Sequence, residues 1–386
     1  DGHVSGISKD DRLMFIENLA RMRQISLESQ WHDSDDVVGW FELERFANGL
    51  RLFKNDRLLI DYTDMLQLFL DRGRAPKLDV MFVDEAQDLS PLQWAVVRKL
   101  CESADRIYIA GDDDQAIYRW AGADVDYLIR NSKDAMVLKQ SYRIPKSIHT
   151  LAERCIGQVA SRVQKTWNPR KEAGHVSWEK SYESIDMESG DWLVLARTNY
   201  LLNGIEEHCR SEGWFYKTKN RNSVSEKKVK AVRDWETLRK GGEILLVDLI
   251  KVLNYMRVSV PTSLERNDFD SNISFEEAQS YLPDLKQEYW YDLFDGISVS
   301  ERSYIRAMLR RGEKITKEPR IKLSTIHAAK GGEAENVILL TDISNRIYKS
   351  YQANPDDESR VFYVGLTRAK QNLFLIEPQT QKYFQI

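Results

Sequence analysis

The chain has 386 residues, 42% of them hydrophobic and 30% charged, with a formal net charge of −4. That length exceeds one ordinary core and suits two domains of moderate size, and the composition fits a soluble globular protein. No apolar run approaches the ~20 residues that a membrane-crossing helix needs. The slightly acidic balance also excludes recognition of a polyanion by bulk charge, so any nucleic-acid surface must be local.

The chain opens on Asp1, and DGHVSGISKDD lacks the basic-then-apolar layout of a secretory signal, so it is expected to begin inside a longer protein. Residues 9 to about 75 carry apolar positions at helical spacing, such as Leu13, Ile16 and Ala20, then Leu43, Phe46, Leu50 and Phe53. At Leu78 the texture changes to a short run, LDVMFV, that reads as a buried strand and ends in Asp84-Glu85. Ser90-Pro91 is a cap followed by a first-turn proline, which predicts a helix over LQWAVVRKL. A second strand, RIYIA, breaks at Gly111 into the polar loop GDDDQ, and a third is expected around Met136, Val137 and Leu138.

Further strands are predicted for DWLVLA at 191–196, IKLST at 321–325, NVILLTD at 336–342 and QNLFLI at 371–376. Between them lies a long, charged and mostly helical stretch, in which Leu282-Pro283 should break any helix. Strands alternating with helices, with polar loops at the strand carboxyl ends, indicate parallel α/β sheets with a ligand site along those ends. Two basic stretches, Lys217–Lys240 and Arg302–Lys322, read either as solvated helix faces or as a polyanion surface. Cys101, Cys155 and Cys209 are far apart and form no CxxC pair. This predicts free thiols in a cytoplasmic protein and no zinc or iron–sulfur site.

Several segments carry chemistry. In MFVDEAQD a strand delivers two carboxylates to a sheet edge. In nucleoside triphosphatases the first of such a pair holds Mg²⁺ and the second activates the attacking water, which suits Asp84 and Glu85; the alternative is that the two acids cap the next helix. Gln115 would reach the same edge, where its amide can contact both a γ-phosphate and the water. Tyr118 and Trp120 flank Arg119, and nucleobases stack on such aromatic faces for about 1–3 kcal/mol each, although Trp120 also reads as core. In QSYR, Tyr142 offers a stacking surface for adenine and Arg143 a cation for the γ-phosphate. The helical segment SRVFYVGLTRAK would present Arg368 on one face, as an arginine finger from a second domain.

Through VDEAQD, GDDDQAIYRWAGA, QSYR, HAAKGGE and YVGLTRAK, the sequence resembles the UvrD/Rep family of superfamily 1 DNA helicases, over roughly Leu78 to Ile376. The resemblance implies an α/β fold of two RecA-like parallel-sheet motor domains, the first truncated, with mostly helical insertions. Its divisions would be 1–77 (helical segment), 78–150 (remainder of the first domain), 151–217 (start of the second), 218–318 (insertion) and 319–386 (end of the second). It implies an ATP-dependent helicase or translocase, 3′-to-5′ on single-stranded DNA, using ATP and Mg²⁺. Its residues would be Asp84 for the metal, Glu85 as base, Gln115, Arg143 and Arg368 at the γ-phosphate, and Tyr142 and Glu333 at the nucleoside. On the DNA side it implies Trp120, with Tyr118 nearby, and Arg197, Asn199, Thr325 and His327; a buried core histidine remains the alternative for His327. The partners implied are single strands, single-strand/duplex junctions and proteins of repair or replication, bound by a monomer.

Relatives often carry KGLEF where this chain has Lys330-Gly331-Gly332-Glu333-Ala334, and an arginine where it has Ala121. The insertion also reads as shorter than in the large bacterial members. The phosphate-cradling loop GxxxxGK[ST] does not occur in these 386 residues. An amino-terminal portion carrying it is therefore expected, without which the chain would bind ATP poorly. A strand-binding remnant or regulatory subunit is the alternative function. A helicase–nuclease fusion would need a carboxylate-rich domain that the sequence does not contain.

Overall fold

The computed structural model describes residues 9–34, 38–219, 221–265, 270–313 and 317–386, so the opening stretch lies outside the described residues. The amino-terminal part is helical, as its periodicity predicts: Lys9–Arg23, Leu27–His32, Trp40–Arg57 and Tyr62–Arg72. Leu13, Ile16, Val38 and Leu43 form its small core. Asp61 and Asp64 close a capping box at the last of these helices and also meet Arg21 and Lys54, which ties the helices into one unit.

Strand β1 (Met81–Val83) pairs in parallel with β2 (Ile107–Ile109). Between them runs the expected helix Pro91–Cys101, whose cap Ser90 exchanges hydrogen bonds with Gln93. Two expectations need correction. The run LDVMFV is strand only from Met81, and it is not buried: Phe82 is 76% exposed and stacks at 5.1 Å on Tyr108, itself 52% exposed. Val83 packs with Ala86, Trp94 and Leu128 on one face, while Phe82 and Tyr108 stay open on the other. The third strand around Met136 is also absent: the segment has no ladder, and Met136 and Leu138 are 86% and 82% exposed.

The second sheet has six parallel strands. They are β3 (His175–Glu179), β4 (Trp192–Ala196) and β5 (Tyr216–Lys217), then, after a two-stranded ribbon of β6 (Ile244–Leu245) and β7 (Asn272–Ile273) in the insertion, β8 (Ile321–Thr325), β9 (Ala334–Leu340) and β10 (Ala369–Ile376). Their spatial order is β3-β10-β9-β4-β8-β5. Side chains alternate between faces. Leu193, Leu195, Val337, Leu339, Leu373 and Leu375 join the core beneath helices Lys146–Ile156 and Pro355–Leu366. Val194, Ala196, Ile338 and Leu340 face the helical insertion. Both faces are covered, the usual condition of a parallel sheet.

Within the insertion, helix Phe275–Tyr281 stops just before Leu282-Pro283, as expected. Several cations of the basic stretches are neutralised in place. Lys228 meets Glu301, Lys230 meets Asp248, Arg239 meets Glu236, Arg311 meets Glu188 and Glu212, and Lys217 and Lys322 share Glu318. These pairs fit the reading of solvated helix faces for the part of each stretch that carries them.

Candidate nucleotide and strand cleft

The carboxyl ends of β1 and β2 lie side by side, with Val83 opposite Ile109, so the residues that follow share one edge. Asp84 is exposed there and accepts the Glu85 backbone N–H at 2.9 Å. Glu85 adopts φ 51° and ψ 38°, left-handed values that cost a non-glycine residue about 1 kcal/mol or more and that cluster at functional sites. Its side chain is 64% exposed at the rim of the cleft between the two sheets.

The next edge residues are held by one near partner and three that lie far away in sequence. Asp112 accepts the Gln115 side-chain amide at 2.7 Å, which orients that glutamine. Lys165 reaches Asp112, Asp113 and Asp114 at 2.8, 2.5 and 2.9 Å, and Arg162 grips Asp114 through two nitrogens at 2.8 and 2.6 Å. Burial opposes the charge on Asp112, yet Lys165 and the Gln115 amide hold its proton affinity below the usual carboxylate range. Burial pushes the fully buried Asp114 the other way, above that range, in spite of Arg162. Arg360, from helix Pro355–Leu366, donates to the Asp113 carbonyl at 2.9 Å and locks this loop onto the second sheet.

Across the cleft stands Arg368. It lies just past the helix that was expected to carry it, beyond the C-cap Thr367, because the chain turns there into β10. The turn aims its guanidinium at the first sheet: Nη2 donates to Gln115 Oε1 at 3.2 Å, and Nη1 to the Gly332 carbonyl at 3.3 Å. Burial, and then the neighbouring Arg143 cation, lower its pKa to about 10, so it stays charged at neutral pH. Arg143 faces Glu333 at 3.8 Å, and Glu333 also meets Lys370 at 3.2 Å. Gln115, Arg143, Glu333 and Arg368 are thus brought together, with Glu85 close by. Tyr142, 88% exposed, stands outside this hydrogen-bonded set.

The expected strand-contacting residues gather elsewhere along the same cleft. A cavity of about 640 Å³ is lined by Trp120, Arg197, Asn199 and His327, with Arg346 and Tyr351 from helix Asn345–Ala353 on the far wall. It forms because β4 and β8 are neighbours and end together, Ala196 opposite Thr325. Tyr118 donates to the His327 carbonyl at 3.0 Å, and the His327 ring lies edge-on to both Tyr118 and Trp120, at 6.1 and 6.4 Å. Two expectations change. Arg197 is 8% exposed and bonded to Glu358 at 2.6 Å, although its Nη1 stays unpaired; Thr325 is 5% exposed, spends its hydroxyl on the Ala328 N–H and does not line the cavity.

Burial, reinforced by the Arg197 cation, lowers the His327 pKa well below 6.5. The unfolded chain therefore binds a proton below about pH 6.5 that the folded chain refuses, and stability falls on acidification by up to about 1.4 kcal/mol per pH unit. His327→Gln should make the loss of thermal midpoint between pH 7.5 and 5.5 smaller than in the wild type. Equal acid losses in the two proteins would contradict this.

Sequence reasoning missed Asp88, Arg162, Lys165, Lys330 and Arg360. The one signal available was the acid triplet at 112–114, which demands cations without naming them. Among the described residues no group of three or more His, Cys, Asp or Glu side chains could hold a metal by itself. A magnesium ion that arrives on nucleotide phosphates needs only one or two protein carboxylates, and exposed Asp84 fits that need. Among the described residues no helix is long and apolar enough to cross a membrane, and the three cysteines are free.

Comparison with known proteins matches residues 25–136 to the UvrD/REP helicase N-terminal domain and residues 295–380 to the UvrD-like helicase C-terminal domain. A probable DNA helicase II homolog of Rickettsia conorii is 22% identical over 86% of this chain and 65% of its own length. Its counterpart in Rickettsia felis is 22% identical over 98% of this chain and 77% of its own length. The ATP-dependent DNA helicase PcrA of Bacillus subtilis is 28% identical over 50% of this chain and 26% of its own. The chain thus spans about two thirds of the first of these relatives and less of the last.

Proposed function

The chain belongs to the UvrD/Rep-type DNA helicases of superfamily 1, and we propose that the protein is an ATP-driven motor that moves 3′-to-5′ along single-stranded DNA and separates strands. The observation that carries this reading is the hydrogen bond from Arg368, on the second sheet, to Gln115, on the first. A bond across the cleft beside a carboxylate pair is what a motor needs if hydrolysis is to depend on how its two halves sit. Glu85 takes a proton from the attacking water, Gln115 orients that water, and Arg143 and Arg368 balance charge developing on the γ-phosphate. Magnesium on Asp84 would neutralise phosphate oxygens. Tyr142 and Glu333 contact the base and ribose. Trp120 stacks nucleobases in the cavity, with Tyr118 nearby holding the His327 carbonyl, assisted by Asn199 and by the unpaired Nη1 of Arg197. Arg346 and Tyr351 extend that contact set.

The test is the ATPase rate of the full-length protein with and without single-stranded DNA, followed by unwinding of duplexes with 3′ or 5′ tails. Stimulation by the strand and opening of the 3′-tailed duplex are expected, and an ATPase indifferent to DNA overturns the motor. A second reading is a strand-binding protein without hydrolysis, which the cavity of Trp120, Asn199 and His327 would serve by itself. It predicts strand binding with no turnover. The bare apolar face of β1 and β2, with Phe82 and Tyr108, favours the motor reading, since a phosphate-loop unit packed there would cover it. A monomer in the cytoplasm, serving DNA repair or replication, completes the proposal.

A further inference from the structure

The residues after β10 take no part in the proposed reaction, yet they are bound closely to the second sheet. Pro378 has no N–H to donate, so the ladder stops there and the chain turns. Asp342, two residues past β9 and 6% exposed, holds that turn. Its carboxylate accepts the Gln379 N–H, the Thr380 N–H and the Thr380 hydroxyl at 2.9, 2.9 and 2.7 Å. The chain then runs back antiparallel to the residues that follow β9. Ile343 N–H bonds the Lys382 carbonyl at 2.9 Å, and Phe384 N–H bonds the Thr341 carbonyl at 3.0 Å. Alternation of faces leaves Tyr383 39% exposed and buries Phe384 completely.

Phe384 lies between the two helices that border the strand cavity. Its ring stacks on Phe362 of helix Pro355–Leu366, with centroids 4.2 Å apart and planes at 6°, and meets Tyr351 of helix Asn345–Ala353 at 5.2 Å. The first helix gives Glu358 and Val361 to the cavity, and the second gives Arg346, Ser350 and Tyr351. The second helix is otherwise lightly anchored: none of its side chains is fully buried, and Ile347, Tyr348 and Tyr351 pack against the core only in part. It starts two residues after Ile343, behind its cap Ser344. Both the start of this helix and one ring of its inner face are therefore fixed by the segment after β10.

From this geometry we infer that the segment after β10 is a brace for the far wall of the cavity, and that Phe384 is the positioning residue that sets how tightly a single strand is held there. Phe384 is fully buried and acts through Tyr351 and Arg346. A close-packed aromatic ring between two helices fixes their spacing, and its loss lets the lightly held one sink toward the gap. The inference rests on the reading of this cavity as a strand site.

The test measures binding of an oligo-dT strand and strand-stimulated hydrolysis in the full-length protein. Phe384→Ala should raise the dissociation constant about tenfold, the size of one lost stacking contact, while kcat at saturating strand stays within about twofold. Phe384→Leu should recover most of the affinity. Arg346→Ala should weaken binding about fivefold by itself but less than about twofold more in the Phe384→Ala background, since brace and arginine act through one helix. Asp342→Asn loosens the turn and leaves the aromatic core intact, and it should raise the dissociation constant about threefold. That variant decides the matter if Phe384→Ala folds poorly. Additive losses for Phe384→Ala and Arg346→Ala, or wild-type affinity in Asp342→Asn, overturn the inference. A wild-type protein that binds no strand overturns the strand-site reading itself.

Discussion

Glu85→Gln in the full-length protein is expected to lower strand-stimulated ATP turnover by about 1000-fold, within the 100- to 10,000-fold range of a lost general base. Nucleotide and strand affinities should stay within a few fold. The substitution preserves shape and removes only the carboxylate, so the second oxygen position, where Gln87 donates and Lys330 approaches, can still be filled by the amide oxygen. What disappears is an acceptor basic enough to take the proton from water. The expected signature is a fall in kcat with KM unchanged, seen as single-turnover hydrolysis slowed by the same factor. The left-handed backbone at Glu85 should persist, because Ala86 N–H still bonds the Ala110 carbonyl and anchors the turn. Turnover near the wild-type rate would remove Glu85 from the base role and return Asp84-Glu85 to a pair of acids ending a strand.

The elements legible in the sequence are those whose chemistry is local. Asp84-Glu85 follows β1 directly, Gln115 lies in the polar loop after β2, and Ser90-Pro91 caps its helix with a neighbour three residues away. The six-stranded sheet was foreshadowed by four runs of branched and aromatic residues, each of which is a strand. Its two edge strands were not: β3, because HVSWE lies at the rim, half-exposed, and mixes polar with apolar positions, and β5, because it is only two residues long. The opposite error arose at Met136–Leu138, where apolar character was taken for a strand although a strand also needs a neighbour's edge to bond. Phe82 and Tyr108 teach the same lesson: an apolar run records a tendency to be covered, not the presence of a cover. Lys330 and Arg162 were beyond reach for another reason. Their carboxylate partners, Asp88 and Asp114, are 242 and 48 residues away in the chain, and only the folded arrangement pairs them.

Arg368→Ala should be the most damaging single change in the cleft, costing about 1000- to 100,000-fold in strand-stimulated kcat if it acts as the arginine finger. The size follows from two tasks carried by one side chain. Its Nη2 holds Gln115 Oε1, so its loss would free the residue that the proposal gives the task of orienting water; in the same proposal its charge balances the negative charge gained by the transferred phosphoryl group. Arg368→Lys separates the tasks, since it keeps a cation but loses the planar fork that spans Gly332, Val364 and Gln115 together. It should recover part of the loss and no more. Burial, and then the Arg143 cation, oppose the charge of this guanidinium. A lowered pKa means that the folded chain releases a proton the unfolded chain keeps, so the charged guanidinium destabilises the fold at neutral pH and this cost is relieved only as pH rises past about 10. Arg368→Met, which fills similar space without the charge, should therefore leave the thermal midpoint at pH 7.5 unchanged or higher while abolishing turnover. A Met variant that is markedly less stable, with turnover falling only in proportion to folded protein, would show that the arginine is held for its hydrogen bonds to the Gly332 and Val364 carbonyls and not for the phosphate.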